Sequence, residues 1–294
     1  MNSGFEYREE IGAAAAGRSV LAYLADRYRH SSLSVWTARI ERGEVSLDGA
    51  RARVTDVLRP GLRLVWRRPP WEEPEVPLTF AILCRDPQLL AVAKPRGLPS
   101  VPNGGFLDHT LLHLVRQRFP EATPMHRLGR GTSGVLLFAR TPEARRVLAA
   151  AWRQGQVEKV YRALVAGVPD RRSFSVAAPI GPVPHPKLGH VHAACAQGKA
   201  SRTDVRVLAE REGNAIVEAT IATGRPHQIR IHLAAAGHPL VGDPLYVVGG
   251  VPALEPGLPG EGGYHLHAQR LAFAHPATGR RIEVECGVPP GLQA

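Results

Sequence analysis

Cysteine is scarce in this sequence, and long apolar runs are missing. The three cysteines, Cys84, Cys195 and Cys286, lie about a hundred residues apart, and none belongs to a C-x-x-C pair. This spacing argues against a disulfide framework and against a structural zinc site. No apolar run approaches the roughly 18–20 residues that a membrane-spanning helix needs. Because residues 1–11 are polar and acidic, they are not typical of a signal peptide. We therefore expect a soluble, cytoplasmic protein that does not associate with membranes.

Lysine is also scarce, although the chain is strongly basic. It has 37 lysines and arginines against 26 aspartates and glutamates, a formal net charge of +11 and a pI near 10.3, and nearly all the positive charge is arginine. Arginine suits bidentate contact with phosphate better than lysine does. This balance favours a polyanionic partner, most simply nucleic acid. The hydrophobic content of 44% indicates a globular protein with a real core.

The histidines do not form a metal-ligand pattern, although there are thirteen of them. His227 and His232 are five residues apart, not the four that place two ligands on one helix face. His265 and His267 could share a strand face, but no carboxylate or cysteine is spaced to complete a site. We therefore expect no metal, and a hydrolytic zinc enzyme is disfavoured.

The chain divides into four segments by composition. We expect an N-terminal extension over 1–17, a small basic domain over 18–66, a proline-rich linker over 67–77 and a large domain over 78–294. The small domain shows two basic helical patterns, 20–28 and 35–42, with Ser34 as a candidate N-cap, followed by two strands. Its arginines include Arg18, Arg39 and Arg42.

Strands dominate the large domain. The patterns predict a hairpin from 80–84 and 89–93, a core strand over 159–165, a pair from 201–208 and 215–222, and closing strands over 265–273 and 282–286. Helices are expected over 111–119, with Asp108 as N-cap, over 142–153, and over 223–237. Residues 249–263 are expected to form a glycine-rich loop.

The most distinctive stretch is HRLGRGTSG, residues 126–134, followed at once by an apolar run. Glycine lets the backbone approach a ligand closely, and arginine forks recognise phosphate. Taken alone, these features fit a ligand-binding loop and a surface turn that happens to be basic equally well.

Six ordered motifs over 78–288 make the large domain resemble RNA pseudouridine synthases of the RluA family. They are AVAKPRGLP (91–99), HRLGRGTSGVLL (126–137), KVYRALV (159–165), GRPHQIRIH (224–232), GHPLVGDPLY (237–246) and LHAQRL (266–271). The resemblance implies an α+β fold, with a mixed, largely antiparallel sheet, flanking helices and a central RNA-binding cleft. The small domain in turn resembles the RNA-binding domain of ribosomal protein S-four, a small α/β domain. The alternative for it is a generic helix-helix-hairpin unit with solvated arginines.

In the RluA family a uridine is flipped out of its stack, its base is detached from the ribose, and the base is rejoined through carbon, without a cofactor or metal. An aspartate directly after the HRL triplet carries the chemistry. It either attacks the anomeric carbon or removes a ribose proton. Here that position is Gly129, so the resemblance fails at its most important residue. Glu121 and Glu143 lie outside the loop, and Asp108 is the least implausible substitute acid.

The remaining site residues follow from the same motifs. Tyr161 corresponds to the family tyrosine under the flipped base, although an ordinary core tyrosine is the alternative. Arg230 corresponds to the arginine that pairs with the family aspartate, so here we expect Asp108, another acid or an RNA phosphate to serve it. Asp243 is expected to be structural. The residues expected to bind substrate or RNA are His126, Arg127, Arg130, Thr132, Lys159, Arg225, His227, Gln228 and Ile229, together with the three arginines of the small domain.

Three hypotheses remain open at this point. The first is a divergent, monomeric RluA-type pseudouridine synthase acting on ribosomal or transfer RNA. The second is a catalytically inactive RNA-binding protein, either an RNA chaperone or a ribosome-assembly factor, that keeps the same fold. The third is that Gly129 is an engineered change made to trap a complex. Gly131, which also departs from a common acidic choice, argues instead for natural drift of the loop.

Overall fold

The structure is a computed structural model that describes residues 1–186 and 188–294. It divides into two compact units, the first over Met1–Glu73 and the second over Pro74–His185 and Gly189–Ala294. The boundary between Glu73 and Pro74 falls within the segment expected to be a linker.

The first unit combines a four-stranded antiparallel sheet with two helices. Its elements are β1 (Phe5–Glu10), α1 (Val20–Arg27), α2 (Leu33–Glu41), β2 (Val45–Leu47), β3 (Ala50–Arg51) and β4 (Arg63–Arg68). The order in the sheet is β1-β4-β2-β3. Because β1 pairs with β4 along its whole length, residues 5–10 are part of this sheet and not a separate extension.

Local capping explains where the two helices of the first unit begin. Ser19 accepts a hydrogen bond from the Ala22 amide at the start of α1. Ser32 does the same for the Val35 amide, so α2 begins earlier than the predicted cap at Ser34. The apolar faces of both helices pack with the sheet around Trp36, which is fully buried.

The second unit is built on one large mixed sheet. The strands of this unit are β5 (Ala81–Arg85), β6 (Leu89–Lys94), β7 (Thr123–Pro124), β8 (Thr132–Ala139), β9 (Glu158–Val165), β10 (Ser173–Val176), β11 (Ile180–His185), β12 (Gly189–Ala194), β13 (Thr203–Arg211), β14 (Asn214–Ile221), β15 (Tyr246–Val247), β16 (Val251–Pro252), β17 (Leu266–Ala274) and β18 (Arg281–Glu285). Two pairs, β11 with β12 and β15 with β16, form separate two-stranded sheets. Its helices are α3 (Leu111–Arg118), α4 (Pro142–Arg153) and α5 (Gln228–Ala235).

The order in the large sheet is β10-β13-β14-β9-β17-β8-β6-β5, with β18 added beside β17 and β7 beside β8. Only β17 and β8 run parallel among the pairs of this sheet in the described residues. The predicted α+β class with a mixed, largely antiparallel sheet and flanking helices is therefore confirmed. Strand β8 reads as a nearly continuous apolar run because it lies in the middle of the sheet and is buried.

Capping and turn chemistry fix the helices of the second unit. Thr141 caps α4, and Pro142 occupies the first turn, as predicted. The expected cap of α3 at Asp108 is wrong, because Thr110 accepts the bond from the His113 amide. Helix α5 begins at Gln228 and not at 223. The Gln228 side chain accepts hydrogen bonds from the Thr223 hydroxyl and the Arg225 amide, and these bonds close a turn before the helix.

Two expectations concern the glycine after α5 and the segment 249–263. Gly237, with φ of +92°, follows the end of α5 as the pattern predicted. The predicted loop over 249–263 contains the short strand β16, which pairs with β15 across a turn at Gly249 and Gly250. Within the described residues, no helix combines the length and the apolar character needed to cross a bilayer.

Candidate functional site

The loop 126–131 leads into β8, and its position depends on the parallel pairing of β8 with β17. Thr132 pairs with Leu266, and Gly134 pairs with Ala268. Gly134 has φ of +113°, and a Cβ there would collide with the Ala268 carbonyl, so only glycine fits at this contact. The pairing places Tyr264, two residues before β17, against the loop.

Gly129 faces two hydroxyl groups. A Cβ built on Gly129 would lie 2.9 Å from the Tyr264 hydroxyl oxygen and 3.6 Å from the Thr132 hydroxyl oxygen. Apart from its chain neighbours, no other described atom comes within 4 Å of that position. The two hydroxyls are 3.3 Å apart and form a hydrogen bond. Asp108, which we had considered as a substitute acid, is therefore not in contact with this position.

Gly131 leaves space for the same tyrosine. A Cβ on Gly131 would lie 2.9 Å from Cζ of Tyr264, closer than real Cβ contacts come. The ring is almost fully buried, with 1% of its surface exposed. Gly129 and Gly131 thus accommodate one aromatic side chain between them. Tyr264 is not among the residues predicted from the sequence because it belongs to no motif, although the two nearby glycines, Gly129 and Gly131, are a visible signal.

Arg230 forms a buried, bidentate ion pair with Asp243. Its Nε and one terminal nitrogen donate to the two carboxylate oxygens at 2.7 and 2.6 Å, and the side chains are only 3% and 1% exposed. Another acid therefore serves Arg230, as one of the expected alternatives held, but this acid is Asp243 and not Asp108. Asp243 also accepts from the Leu245 and Tyr246 amides, so the turn that holds it is built around this carboxylate. Burial alone would lower the pKa of Arg230, but the bonds and charge of Asp243 raise it.

Two tyrosine rings lie against the Arg230 guanidinium. The guanidinium carbon is 4.3 Å from the centre of the Tyr264 ring and 5.0 Å from that of Tyr246. Tyr246 donates to the His192 carbonyl, so its oxygen receives the Nδ1 hydrogen of His227 at 2.7 Å. Burial, with the positive charge of Arg230, lowers the pKa of His227 to about 3, so this ring is neutral at pH 7.

Tyr161 and its neighbours form a buried wall. Tyr161, on β9, is half-buried between two core clusters, and burial raises its pKa to about 12. Ile229 is buried in the first of these clusters. Lys159 is only 6% exposed and donates to the Ala222 carbonyl, and Gln228 is 3% exposed and donates to the Arg202 carbonyl. The polar atoms of Lys159 and Gln228, like the Thr132 hydroxyl, therefore form hydrogen bonds inside the protein.

His126 anchors the start of the loop. Its Nε2 accepts the Leu137 amide at 3.1 Å, and its ring stacks on Trp152 at 5.3 Å. Burial lowers the pKa of His126 to about 4, so it is neutral at pH 7. Such a neutral, bonded ring fits a loop-orienting role better than contact with a phosphate.

Two arginines help to line a small cavity of about 180 Å³ beside the loop. It is lined by Glu75, Val76, Pro77, Arg96, Gly97, Arg130, Gly131 and Gly262. Arg130 donates to the Gly260 carbonyl at 2.7 Å, and its backbone oxygen accepts from the Gly97 amide. Arg96 and Arg127 are exposed, and Arg225 is half-buried with long contacts to the Ala200 carbonyl. The arginines therefore remain near the surface, where they can meet an anion.

The other expected residues lie elsewhere. Asp108 is half-buried, with its carboxylate 3.3 Å from the His113 ring. In the first unit Arg18 pairs with Asp26, and Arg42 pairs with Glu44. Arg39 stacks on two indoles, 4.6 Å from the ring of Trp36 and 4.7 Å from that of Trp66. Across the described residues, no group of three or more histidine, cysteine or acidic side chains is arranged to hold a metal ion.

The fold defines a class of protein. Among solved structures, that of human RNA pseudouridylate synthase domain containing 1 is similar, with a TM-score of 0.60 and 27% sequence identity over 76% of this chain and 89% of that one. The family model for RNA pseudouridylate synthase matches residues 88–235. This span contains the loop, β9 and α5.

Relatives that align over nearly the whole chain carry names of the same family. A Synechocystis protein described as an uncharacterized RNA pseudouridine synthase is 41% identical over 93% of this chain and 95% of its own length. RNA pseudouridine synthase 5 of Arabidopsis thaliana is 34% identical, over 100% and 95%. Ribosomal large subunit pseudouridine synthase D of Xanthomonas campestris is also 34% identical, over 95% and 88%. The chain belongs to the RNA pseudouridylate synthase family.

Proposed function

We propose that this protein is an RluA-type RNA pseudouridine synthase, which converts uridine to pseudouridine in ribosomal or transfer RNA. One observation carries the proposal: two distant motifs meet at one residue. Tyr264, two residues before the LHAQRL strand, contacts Gly129 and Gly131 of the loop and the guanidinium of Arg230 on α5. A set of distant motifs that converges on a single point is typical of a built site. The names of the relatives support the same activity.

The reaction is a rearrangement within one nucleotide. The bond between the ribose anomeric carbon and N1 of uracil breaks, the ring turns, and C5 forms the new bond to the same carbon. The C5 hydrogen leaves as a proton, and N1 gains one, so the product is an isomer of the substrate. The target nucleotide must leave its stack for this to happen.

Each group around the loop has a proposed task. Arg127, Arg130 and Arg225 hold the phosphates that flank the target, because guanidinium groups near the surface contact phosphate in a bidentate way. Tyr161 lies under the flipped base, with Ile229 in the wall behind it. We assign Lys159, Thr132 and Gln228 to holding this wall together, since their polar atoms are bonded inside the protein.

The first unit has a proposed role of its own. Because this unit has two capped helices, a small sheet and an excess of arginine, we assign it as an S-four-like RNA-binding domain. It would add affinity for RNA and take no part in the reaction. We further propose that the protein acts in the cytoplasm as a monomer. Sedimentation of the purified chain, alone and with RNA, measures the oligomeric state.

Modification mapping tests the proposal. Ribosomal and transfer RNA transcribed in vitro, and therefore free of pseudouridine, is incubated with the protein. Pseudouridine is then mapped at single-nucleotide resolution. We expect one or a few uridines to be modified, and none with heat-inactivated protein. Equal maps in the two samples, in the presence of measurable RNA binding, would remove the proposal.

A second candidate is a non-catalytic RNA-binding protein with the same fold. Two features favour it: Gly129 has no side chain, and the charge of Arg230 is already neutralised by Asp243. This candidate predicts RNA binding whose affinity falls with salt, as phosphate contacts require, and no modified uridine. The mapping experiment, with a parallel binding titration, separates the two candidates.

A further inference from the structure

The space beside Gly129 holds a hydroxyl group that no family motif contains. The Tyr264 oxygen lies 2.9 Å from where a Cβ on Gly129 would be, so it stands in the space that a side chain at this position would enter. Gly131 has no side chain either, and this leaves room for the ring that carries the hydroxyl. The loop is therefore shaped around Tyr264 and is not simply an aspartate loop with one residue removed.

The backbone next to Tyr264 is also fixed. The preceding residue, Gly263, has φ of +122°, and a Cβ there would come within 2.6 Å of the Gly242 carbonyl. A Cβ on Gly242 would likewise come within 2.7 Å of the Gly263 carbonyl. This close backbone contact ties Tyr264 to the turn that carries Asp243. A side chain fixed at both its backbone and its tip has the precise placement that catalytic groups require.

We propose that Tyr264 is a catalytic residue of this chain and that its hydroxyl replaces the absent carboxylate of the family motif. The inference rests on the proposed function, because it names the group that performs the proposed reaction. The Tyr264 side chain is only 1% exposed, so its hydroxyl reaches a nucleotide bound over the loop once the exposed backbone at Gly129 moves aside. The Thr132 hydroxyl, 3.3 Å away, orients the Tyr264 hydroxyl.

The step balances as an elimination followed by an addition. The ionised Tyr264 oxygen removes the hydrogen on C2′ of the ribose as a proton. The electrons of that C–H bond form a C1′–C2′ double bond, and uracil leaves as its anion. After the base turns, its C5 bonds to C1′, and C2′ takes the proton back from Tyr264. Loss of the C5 proton and protonation of N1 complete the isomer. Tyrosine acts in place of a carboxylate in some glycosidases as well.

The pH dependence of the reaction separates this proposal from a hidden carboxylate. Phenols ionise near pH 10, whereas carboxylic acids ionise near pH 4. A tyrosine base therefore predicts a single-turnover rate that rises about tenfold per pH unit between pH 6 and pH 9. A carboxylate base predicts a flat rate over the same range. RNA binding is measured at each pH, so that changes in occupancy are removed.

Two variants complete the experiment. Tyr264→Phe keeps the ring and removes only the hydroxyl, so we expect pseudouridine formation to fall about 10²–10⁴-fold while the RNA dissociation constant stays within about threefold. In this background Gly129→Asp no longer meets the hydroxyl oxygen. The double variant G129D/Y264F is therefore expected to recover activity, with a rate that no longer rises above pH 6.

The outcomes are distinct. A flat wild-type profile, or a fully active Y264F, overturns the catalytic role of Tyr264 and leaves the proposed function standing. An inactive G129D/Y264F that still folds and binds RNA overturns the claim that the two side chains share one place. An inactive wild type that still binds RNA removes the proposed function as well. Should Y264F fail to fold, as a melting curve would show, the wild-type pH profile still decides.

Discussion

The candidate site has a loop side, residues 126–131, and a helix side, α5 with Arg230. The two sides differ in whether they carry a buried charge. On the loop side Gly129 carries no side chain, and Tyr264 occupies the space beside it. On the helix side the charged residue, Arg230, is present and is neutralised by a carboxylate from another segment. A buried guanidinium destabilises the fold unless an anion accompanies it, whatever the chemistry. The exposed position at Gly129 has no such requirement, so the fold does not need a charged side chain there.

The largest expected effect comes from breaking the helix side. Asp243→Asn leaves the buried Arg230 charge without its partner, so we expect the free energy of unfolding to fall by about 3–5 kcal/mol in urea titrations followed by circular dichroism. Asp204→Asn is the matched control. It breaks an exposed pair with Arg202 in the same unit and should cost less than about 1 kcal/mol. Equal losses in the two variants would mean that Asp243 is not needed to neutralise Arg230.

The loop side should respond to acid. The pKa of His126 in the folded chain, about 4, lies below its ordinary value of 6.5. Between these two pH values the unfolded chain therefore binds a proton at His126 and the folded chain does not. The neutral His126 ring therefore contributes to the free energy of unfolding in full above pH 6.5, and this contribution is lost as the pH falls toward 4. Because the ring is partly exposed, we expect a loss of about 2–3 kcal/mol. In His126→Gln this part of the pH dependence should vanish. An unchanged acid profile in that variant would contradict the anchoring role.

A smaller effect is expected from filling the loop. Gly131→Ala places a methyl group 2.9 Å from the buried Tyr264 ring and should cost about 1–3 kcal/mol of unfolding free energy. The cost should shrink when Tyr264 is alanine, as a double-mutant cycle measures. Gly287→Ala, which meets nothing within 4 Å, is the control. Additive effects of the first two substitutions would show that Gly131 does not accommodate Tyr264.

The smallest expected effect concerns RNA contact by the loop. Arg127→Ala removes one proposed phosphate contact, so the slope of log binding constant against log salt should become shallower by about 0.7–0.9. Arg145, an exposed arginine on α4 outside the motifs, provides the control, and its alanine variant should leave the slope unchanged. The same slope in wild type and Arg127→Ala would remove this residue from the interface.

The sequence predicted the fold better than it predicted the contacts of the site. Periodicity and turn residues located most strands of the second unit and the whole of α4, because these are local properties. The ion pair between Arg230 and Asp243 and the contact of Tyr264 with Gly129 depend on how distant segments pack. Asp243 was expected to be structural, yet nothing in its local sequence names its partner. Tyr264, 135 residues after Gly129, belongs to no motif at all.

The most direct test of the account follows the hydrogen on C5 of the uridine ring. RNA labelled with tritium at C5 of uridine is mixed with an excess of the protein, and tritium released to water is counted over time. We predict release from the wild type in a single turnover, at a rate that increases with pH, and none from heat-inactivated protein. No release by a protein that binds the same RNA in a salt-dependent manner would contradict the proposed activity.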